Sequence, residues 1–243
     1  MPIGVIDSGL GGLTVLRALR VAMPDTQFLY YGDTARAPYG GRPPHELLSF
    51  GRDIVAFLLE RGATAIVLAC GSLSSTAYDA LCAEFPHISI TDVLRPGVAA
   101  VQAANPSRVG IIATEATIRS RFFENLLRQD DPNRTVLTRA CPLFAPLAER
   151  GIFTGTPIQW AANHYLHEWR GQIDALVLAC THYPLLLDVL HETLPGVQMI
   201  DLSASAAQMA APHATSDATN QPIFHTSGDK ETFDVAARRI IGH

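Results

Sequence analysis

The sequence predicts an α/β protein made of two pseudo-symmetric parallel-sheet domains with a ligand site between them. The first observation is a repeated apolar segment, because Ala-Ile-Val-Leu-Ala-Cys at residues 65–70 returns as Ala-Leu-Val-Leu-Ala-Cys at residues 175–180. The second is a repeated opening strand, since Val-Gly-Ile-Ile-Ala at residues 109–113 resembles Ile-Gly-Val-Ile-Asp at residues 3–7. The third is the alternation of short apolar runs with helix-like segments, which is typical of parallel sheets.

Composition limits the functions that this chain can have. Its 243 residues are 48% hydrophobic, which suffices for one large or two small domains. The net charge of −5 and the lack of a long basic run argue against nucleic acid as a partner. The sequence has neither a membrane-length apolar stretch nor the charged start of a signal peptide, so we expect a cytoplasmic protein without a membrane partner. Four cysteines without zinc spacing predict reduced thiols and no metal.

The first half of the chain reads as four strands joined by helices. A Gly-rich turn at residues 7–14 follows the first strand and suits the binding of a carboxylate near a helix N-terminus. The loop at residues 32–40 follows the second strand. It contains Gly, Asp, Pro and Tyr at a strand end, which indicates a functional loop. The predicted elements are strands at residues 3–6, 27–31, 65–70 and 89–93, and helices beginning at residue 13, spanning 45–61 and beginning at residue 71.

The second half repeats this pattern after Pro96-Gly97, where we expect the chain to cross between domains. Residues 204–221 are small and polar, and they suggest that the chain then returns to the first domain. We therefore predict a first domain of residues 1–95 plus 210–243 and a second domain of residues 96–209. The predicted elements are strands at 109–113, 135–140, 175–180, 198–201 and 222–226, a loop at 141–146, and helices at 157–170 and 233–241.

Cys70 and Cys180 end the two repeated strands, where ligands bind in open α/β sheets. Two thiols that face each other across a ligand suit cofactor-independent racemisation, in which one thiolate removes a proton and the opposite thiol delivers one. The neighbouring polar groups that could assist are Asp7, Glu149 and His182. The alternatives are that both cysteines are buried structural residues, that Asp7 caps a helix, and that His182 is a satisfied polar residue.

Five segments resemble bacterial glutamate racemases of the aspartate/glutamate racemase family. They occur in the family's order, and the resemblance runs from residue 3 to about residue 201. The segments are Asp-Ser-Gly-Leu-Gly-Gly-Leu-Thr-Val-Leu at residues 7–16, Tyr-Gly-Asp-Thr-Ala-Arg-Ala-Pro-Tyr-Gly at 31–40, Thr-Glu-Ala-Thr-Ile at 114–118, Cys-Pro-Leu-Phe at 141–144 and Leu-Ala-Cys-Thr-His-Tyr-Pro-Leu at 178–185.

The resemblance implies interconversion of L- and D-glutamate without a cofactor, which supplies D-glutamate for peptidoglycan. It implies that Cys70 and Cys180 are the acid/base pair, that Asp7, Glu149 and His182 assist them, and that glutamate is the small-molecule partner. A homodimer is an assembly that the sequence leaves open. The resemblance also implies a substrate site lined by Asp7, Ser8, Tyr39, Gly40, Gly71, Ser72, Thr114, Thr117, Thr181 and His182.

One departure from the family touches the implied substrate site. The family usually has Cys-Asn-Thr after the first cysteine strand, whereas this chain has Cys70-Gly71-Ser72. Gly71 has no amide to offer the substrate, which leaves open weaker glutamate turnover, racemisation of another amino acid such as aspartate, or a non-catalytic protein that binds an acidic amino acid. Retention of both cysteines argues against the binding protein, which needs no opposed thiols.

Overall fold

A computed structural model describes residues 1–215 and 221–241, and within them nine strands form two sheets. Every strand pair in both sheets is parallel, which confirms the predicted fold class. The strands are β1 (Ile3–Asp7), β2 (Phe28–Gly32), β3 (Ala65–Leu68), β4 (Ser89–Asp92), β5 (Arg108–Ala113), β6 (Thr135–Ala140), β7 (Ala175–Leu178), β8 (Gln198–Asp201) and β9 (Ile223–Thr226).

The two sheets share one strand order. The first sheet runs β4-β3-β1-β2-β9 and the second runs β8-β7-β5-β6, so the first four strands of each sheet correspond one to one. The repeated cysteine segments therefore form equivalent strands, β3 and β7. Both are buried along their whole length, as expected for strands covered on both faces.

Eleven α-helices within the described ranges connect these strands. Five of them, α4, α5, α6, α9 and α10, were not predicted from the sequence, and α7 occupies part of the predicted 141–146 loop, so that loop prediction was wrong there. The helices are α1 (Leu13–Ala22), α2 (Pro44–Glu60), α3 (Gly71–Glu84), α4 (Arg95–Ala104), α5 (Glu115–Ser120), α6 (Phe122–Asp130), α7 (Phe144–Glu149), α8 (Thr156–Leu166), α9 (Leu187–Thr193), α10 (Ser203–Ala210) and α11 (Lys230–Ile241).

The helix α10 was not predicted because tertiary packing, and not its sequence pattern, stabilises it. Its sequence, Ser-Ala-Ser-Ala-Ala-Gln-Met-Ala, has small side chains that give little amphipathic signal. In the fold it packs against α1, α4 and β4, and Ala206, Ala207 and Ala210 are buried there. Small side chains let helices approach closely, and tertiary packing supplies most helix stability in proteins.

One apolar core joins the two sheets. It contains Val5 and Val67 from the first sheet, Ile111 and Val177 from the second, and residues of α10. Since β9 pairs with β2, the last described strand belongs to the first sheet. The exact domain boundaries stay a prediction, and residues 216–220 of the polar stretch lie outside the described residues. No helix in the described ranges has the length and apolar character that crossing a membrane requires.

Candidate active site

The carboxyl ends of the two central strand pairs meet at one cavity of about 200 Å³. In the first sheet β2 lies on one side of β1 and β3 lies on the other, and in the second sheet β6 and β7 flank β5 in the same way. The strand order therefore changes direction between β1 and β3 and between β5 and β7, next to this cavity. Such switch points are where open parallel sheets bind ligands. Both repeated cysteines line the cavity, Cys70 from the first half and Cys180 from the second.

Cys70 lies immediately before α3 and is 4% exposed. Its Sγ donates to Ser8 Oγ at 3.8 Å. Burial, with the charge of Asp7 adding to it, raises the pKa of the Cys70 thiol to about 12. The resting side chain is therefore a protonated thiol at neutral pH, ready to deliver a proton.

Cys180 has a different environment, because its Sγ lies 3.7 Å from His182 Nδ1. His182 Nε2 in turn lies 2.5 Å from Glu149 Oε1, which also accepts a hydrogen bond from Leu10 N at 2.7 Å. Burial opposes the charged imidazole, but Cys180 and Glu149 outweigh it and raise the pKa of His182 well above its usual value. Burial likewise opposes the charged carboxylate, yet contacts with His182 hold the pKa of Glu149 below its usual value.

His182 is thus an imidazolium at neutral pH, and both of its ring nitrogens are donors. One faces the Glu149 carboxylate and the other faces the Cys180 sulfur. A thiolate at Cys180 would be stabilised by this adjacent cation. The second half therefore carries a Cys-His-Glu arrangement of the kind that activates a thiol.

Asp7 is fully buried at the end of β1 and lies behind the cavity wall. Its Oδ2 accepts from Gly9 N at 2.9 Å, and its Oδ1 accepts from the Thr181 hydroxyl at 3.1 Å. Burial raises the pKa of Asp7, although His182 and the backbone amides of Gly12 and Gly9 act against it. Asp7 therefore belongs to the half of the chain that carries Cys70, but it accepts a hydrogen bond from the residue after Cys180.

The sequence profile of the Asp/Glu/Hydantoin racemase family matches residues 12–210. The chain belongs to this family. Glutamate racemase from Aquifex aeolicus is 35% identical over 243 residues, covering 100% of this chain and 94% of the relative. Glutamate racemase from Thermus thermophilus is 39% identical over 245 residues, covering 98% and 92%.

Solved structures extend this similarity to three dimensions. Glutamate racemase from Francisella tularensis in complex with D-glutamate superposes with a TM-score of 0.92 at 30% identity, covering 100% of this chain and 94% of that one. The Thermus thermophilus enzyme in complex with β-chloro-D-alanine gives 0.85 at 37%, covering 100% and 93%. Aspartate racemase from Picrophilus torridus gives 0.61 at only 16% identity, a likeness of fold alone.

Hydroxyl groups from both halves meet at one side of the racemase cavity. Ser72 Oγ and Thr114 Oγ1 lie 2.8 Å apart, and Thr114 Oγ1 lies 3.2 Å from Thr117 Oγ1. Ser72 and Thr114 line the cavity, whereas Thr117 is buried behind them. Among the described residues that line the cavity none is Lys or Arg, and both ring nitrogens of His182 face Cys180 and Glu149, so hydroxyls and backbone amides are the donors left for a bound carboxylate.

The Tyr39 hydroxyl is not free for a ligand, because it donates to Asp33 Oδ2. Arg36 Nε donates to the same oxygen at 2.6 Å. Asp33 is fully buried after β2 and fixes the loop that carries Tyr39 and Gly40 into the cavity wall. Sequence reasoning gave Asp33 no role, although its place in the Gly-Asp-Thr turn at a strand end was a signal.

Gly71 lies against the second half of the chain. A Cβ atom at Gly71 would stand 2.5 Å from the Ala179 carbonyl oxygen, which is closer than real contacts permit. The first turn of α3 can approach the end of β7 in this way only without a side chain at this position. This packing favours a structural reason for Gly71 over a lost substrate contact.

The structure places all but two of the predicted site residues in the cavity wall. The exceptions, Asp7 and Thr117, lie directly behind it. Cys141, which sequence analysis left without a role, follows β6 as Cys70 follows β3 and joins the wall. The wall residues that sequence analysis did not assign are Ala37, Pro38, Gly41, Glu115, Cys141, Pro142, Ala145 and Pro146.

Proposed function

We propose that this protein interconverts L- and D-glutamate by a two-base mechanism in which Cys70 and Cys180 exchange roles. The observation that carries the proposal is the placement of two thiols, one from each half, in the wall of a single cavity. Racemisation needs a base on one face of Cα and an acid on the other. A protein that only binds an amino acid has no use for that pair.

In the direction from L-glutamate to D-glutamate, Cys180 is the base and Cys70 is the acid. With Cys180 as thiolate beside the His182 imidazolium, its sulfur takes the Cα proton of L-glutamate and becomes a thiol. The electron pair left on Cα takes the proton of the Cys70 thiol from the other face, which gives D-glutamate and a Cys70 thiolate. The reverse reaction starts from this second form, so Cys70 takes the proton from D-glutamate.

The cavity wall supports an amino acid with two carboxylates as substrate. Ser8, Ser72 and Thr114 present hydroxyls to the cavity, and Thr181 joins them in the wall with its hydroxyl donating to Asp7. Hydrogen bonds to a charged group contribute about 1.5–3 kcal/mol each, so a few hydroxyl and amide donors can replace a basic side chain. We assign Tyr39 and Gly40 to the wall through ring and backbone, since the Tyr39 hydroxyl is bound to Asp33.

Glutamate is favoured over aspartate by the sequence relatives. The full-length matches are to glutamate racemases at 35–39% identity, one of them solved with D-glutamate bound, whereas the aspartate racemase likeness is one of fold. We propose that the product D-glutamate serves peptidoglycan synthesis in the cytoplasm.

No group of three or more His, Cys, Asp and Glu side chains in the described ranges could hold a metal ion.

The test follows circular dichroism of purified protein with D-glutamate and then with D-aspartate, after dialysis against a chelator and without added cofactor. We expect the D-glutamate signal to decay to zero and the D-aspartate signal to persist. A Cys70→Ser variant purified in the same way controls for contaminating racemases. Loss of activity on chelation with recovery on adding a metal, or decay of D-aspartate alone, would overturn the proposal.

A further inference from the structure

A second cavity of about 290 Å³ lies between the two halves of the chain and shares no lining residue with the substrate cavity. We call it the arginine cleft, and its polar lining consists of Arg42, Ser75, Thr76, Arg119 and Ser120. Arg42 precedes α2, and Ser75 and Thr76 lie on α3, all in the first half. Arg119 and Ser120 lie on α5 in the second half, and α5 packs on α3.

The charge in this cleft is accessible to a ligand. Arg42 pairs with Glu46 at 3.1 Å and donates to the Arg36 carbonyl at 3.1 Å, and Arg119 pairs with Glu115 at 3.9 Å. All four side chains are more than a third exposed, and exposed pairs of this kind contribute little free energy. An anion that contacts both guanidinium groups at once therefore displaces weak partners, whereas a cation would meet two positive charges.

The remaining polar groups suit a tetrahedral oxyanion. Ser75 and Thr76 donate to the Ser72 carbonyl at 3.1 and 2.7 Å, and Ser120 donates to the Thr117 carbonyl at 2.7 Å. Those carbonyls belong to helices, so the hydroxyls are free to rotate toward a better acceptor. A phosphate is such an acceptor, because charge-assisted hydrogen bonds are about twice as strong as neutral ones and the planar guanidinium matches phosphate geometry.

We propose that the arginine cleft binds a phosphate group, free or as a phosphate monoester, which contacts Arg42 of one half and Arg119 of the other. The site is connected to the substrate cavity, since Ser75 Oγ lies 3.5 Å from Thr117 Oγ1 and Thr117 Oγ1 lies 3.2 Å from Thr114 Oγ1, which contacts Ser72. Phosphate bound here bridges the same two halves whose approach forms the substrate cavity.

The test titrates the full chain with inorganic phosphate and, separately, with glycerol phosphate at constant ionic strength, followed by ³¹P NMR and calorimetry. Arg42→Gln and Arg119→Gln should each weaken binding by about tenfold, the loss of one charged hydrogen-bonding partner. Arg119→Lys should weaken it less, because the charge remains. The matched control is Arg128→Gln, since Arg128 also pairs with a glutamate four residues before it but lies outside the cleft.

Binding must also persist in the presence of D-glutamate, which separates the cleft from the substrate cavity. Tighter binding of glycerol phosphate than of inorganic phosphate would identify a monoester as the natural class of ligand, and the reverse order would identify free phosphate. Absence of binding, binding that both Arg→Gln variants retain, or displacement of phosphate by D-glutamate overturns the proposal. None of these outcomes depends on racemase activity.

Discussion

The Cys70 and Cys180 sides of the cavity have the same strand order but different electrostatics. Cys70 follows β3 and lies beside a serine hydroxyl, and burial raises its pKa to about 12. Cys180 follows the equivalent β7 and lies beside His182, which contacts with Cys180 and Glu149 keep in its charged form. A repeated motif thus gives the two thiols equivalent positions, while different groups lie next to them: a serine hydroxyl beside Cys70 and the His182 imidazolium beside Cys180.

The polar residues that assist the cysteines form hydrogen bonds between the two halves of the chain. Asp7 of the first half accepts a hydrogen bond from Thr181, and Glu149 of the second half accepts one from Leu10 N. Each cysteine's surroundings therefore depend on the half to which it does not belong. The site is complete only when the two sheets are held in this arrangement.

The largest expected effect tests whether both thiols are needed. Cys70→Ser and Cys180→Ser should each lower kcat for racemisation by about 10²–10⁴-fold, because every turnover requires a base and an acid. Circular dichroism from D- and L-glutamate measures this. Cys82→Ser, on α3 and outside the cavity wall, should remain close to the parent enzyme. Turnover near the parent rate in either variant of the pair would refute the two-thiol assignment.

The next effect tests whether His182 and Asp7 each assist proton removal from only one enantiomer of glutamate. His182→Asn should slow proton removal from L-glutamate, and Asp7→Asn should slow removal from D-glutamate, each by less than the loss of a cysteine. Because the equilibrium constant between enantiomers is unity, kcat/KM must fall equally in both directions. The asymmetry is therefore read from the primary isotope effect with α-deuterated substrates.

We expect the isotope effect to rise for L-glutamate in His182→Asn and for D-glutamate in Asp7→Asn. A conservative change elsewhere, such as Cys82→Ser, should alter neither. Asp7 is the sharper case, since its hydrogen bond goes to Thr181 rather than to Cys70. An isotope effect that rises equally for both enantiomers in Asp7→Asn would show that Asp7 serves the whole site and not one half.

Substitution of Gly71 should give a smaller effect, because it disturbs the contact between the two halves of the chain. Gly71→Ala should lower the free energy of unfolding by about 1–3 kcal/mol and reduce kcat/KM, because its Cβ would overlap the Ala179 carbonyl. Gly41→Ala is the control for stability alone, since the nearest atom to a Cβ there is 4.0 Å away but Gly41 lines the cavity. Chemical denaturation and initial rates measure both. Should Gly71→Asn instead raise kcat/KM without loss of stability, the missing-amide interpretation is correct.

The smallest effect concerns the pH dependence of stability. Since the folded-state pKa of His182 is raised above 6.5, its contribution is fully present below pH 6.5 and is lost as the pH rises through the raised value. Glu149, with a pKa lowered from 4.5, contributes above pH 4.5 and loses that contribution as the pH falls through the lowered value. The stability difference between the parent protein and His182→Asn should therefore be largest between about pH 4.5 and 6.5. Urea denaturation across this range measures it, and a difference that grows with rising pH would contradict the assigned charge.

The sequence by itself determined the two-sheet α/β fold and the position of both cysteines. Strongly apolar runs such as those before Cys70 and Cys180 specify buried parallel strands, although β3 and β7 end at Leu68 and Leu178, two residues before the predicted ends. The repeat also determined that the two strands are equivalent. These features depend on local composition, so they can be predicted without knowledge of the tertiary contacts.

Only the tertiary structure decided which groups surround each thiol. The hydrogen bonds from Thr181 to Asp7 and from Leu10 to Glu149 join residues more than a hundred positions apart, and no local pattern encodes them. The roles of Asp33 and Gly71 emerged in the same way, from the Tyr39 hydroxyl and the Ala179 carbonyl that contact them. Proton affinity and steric fit depend on atoms a few ångströms away in space, and packing of the two halves alone brings those atoms together.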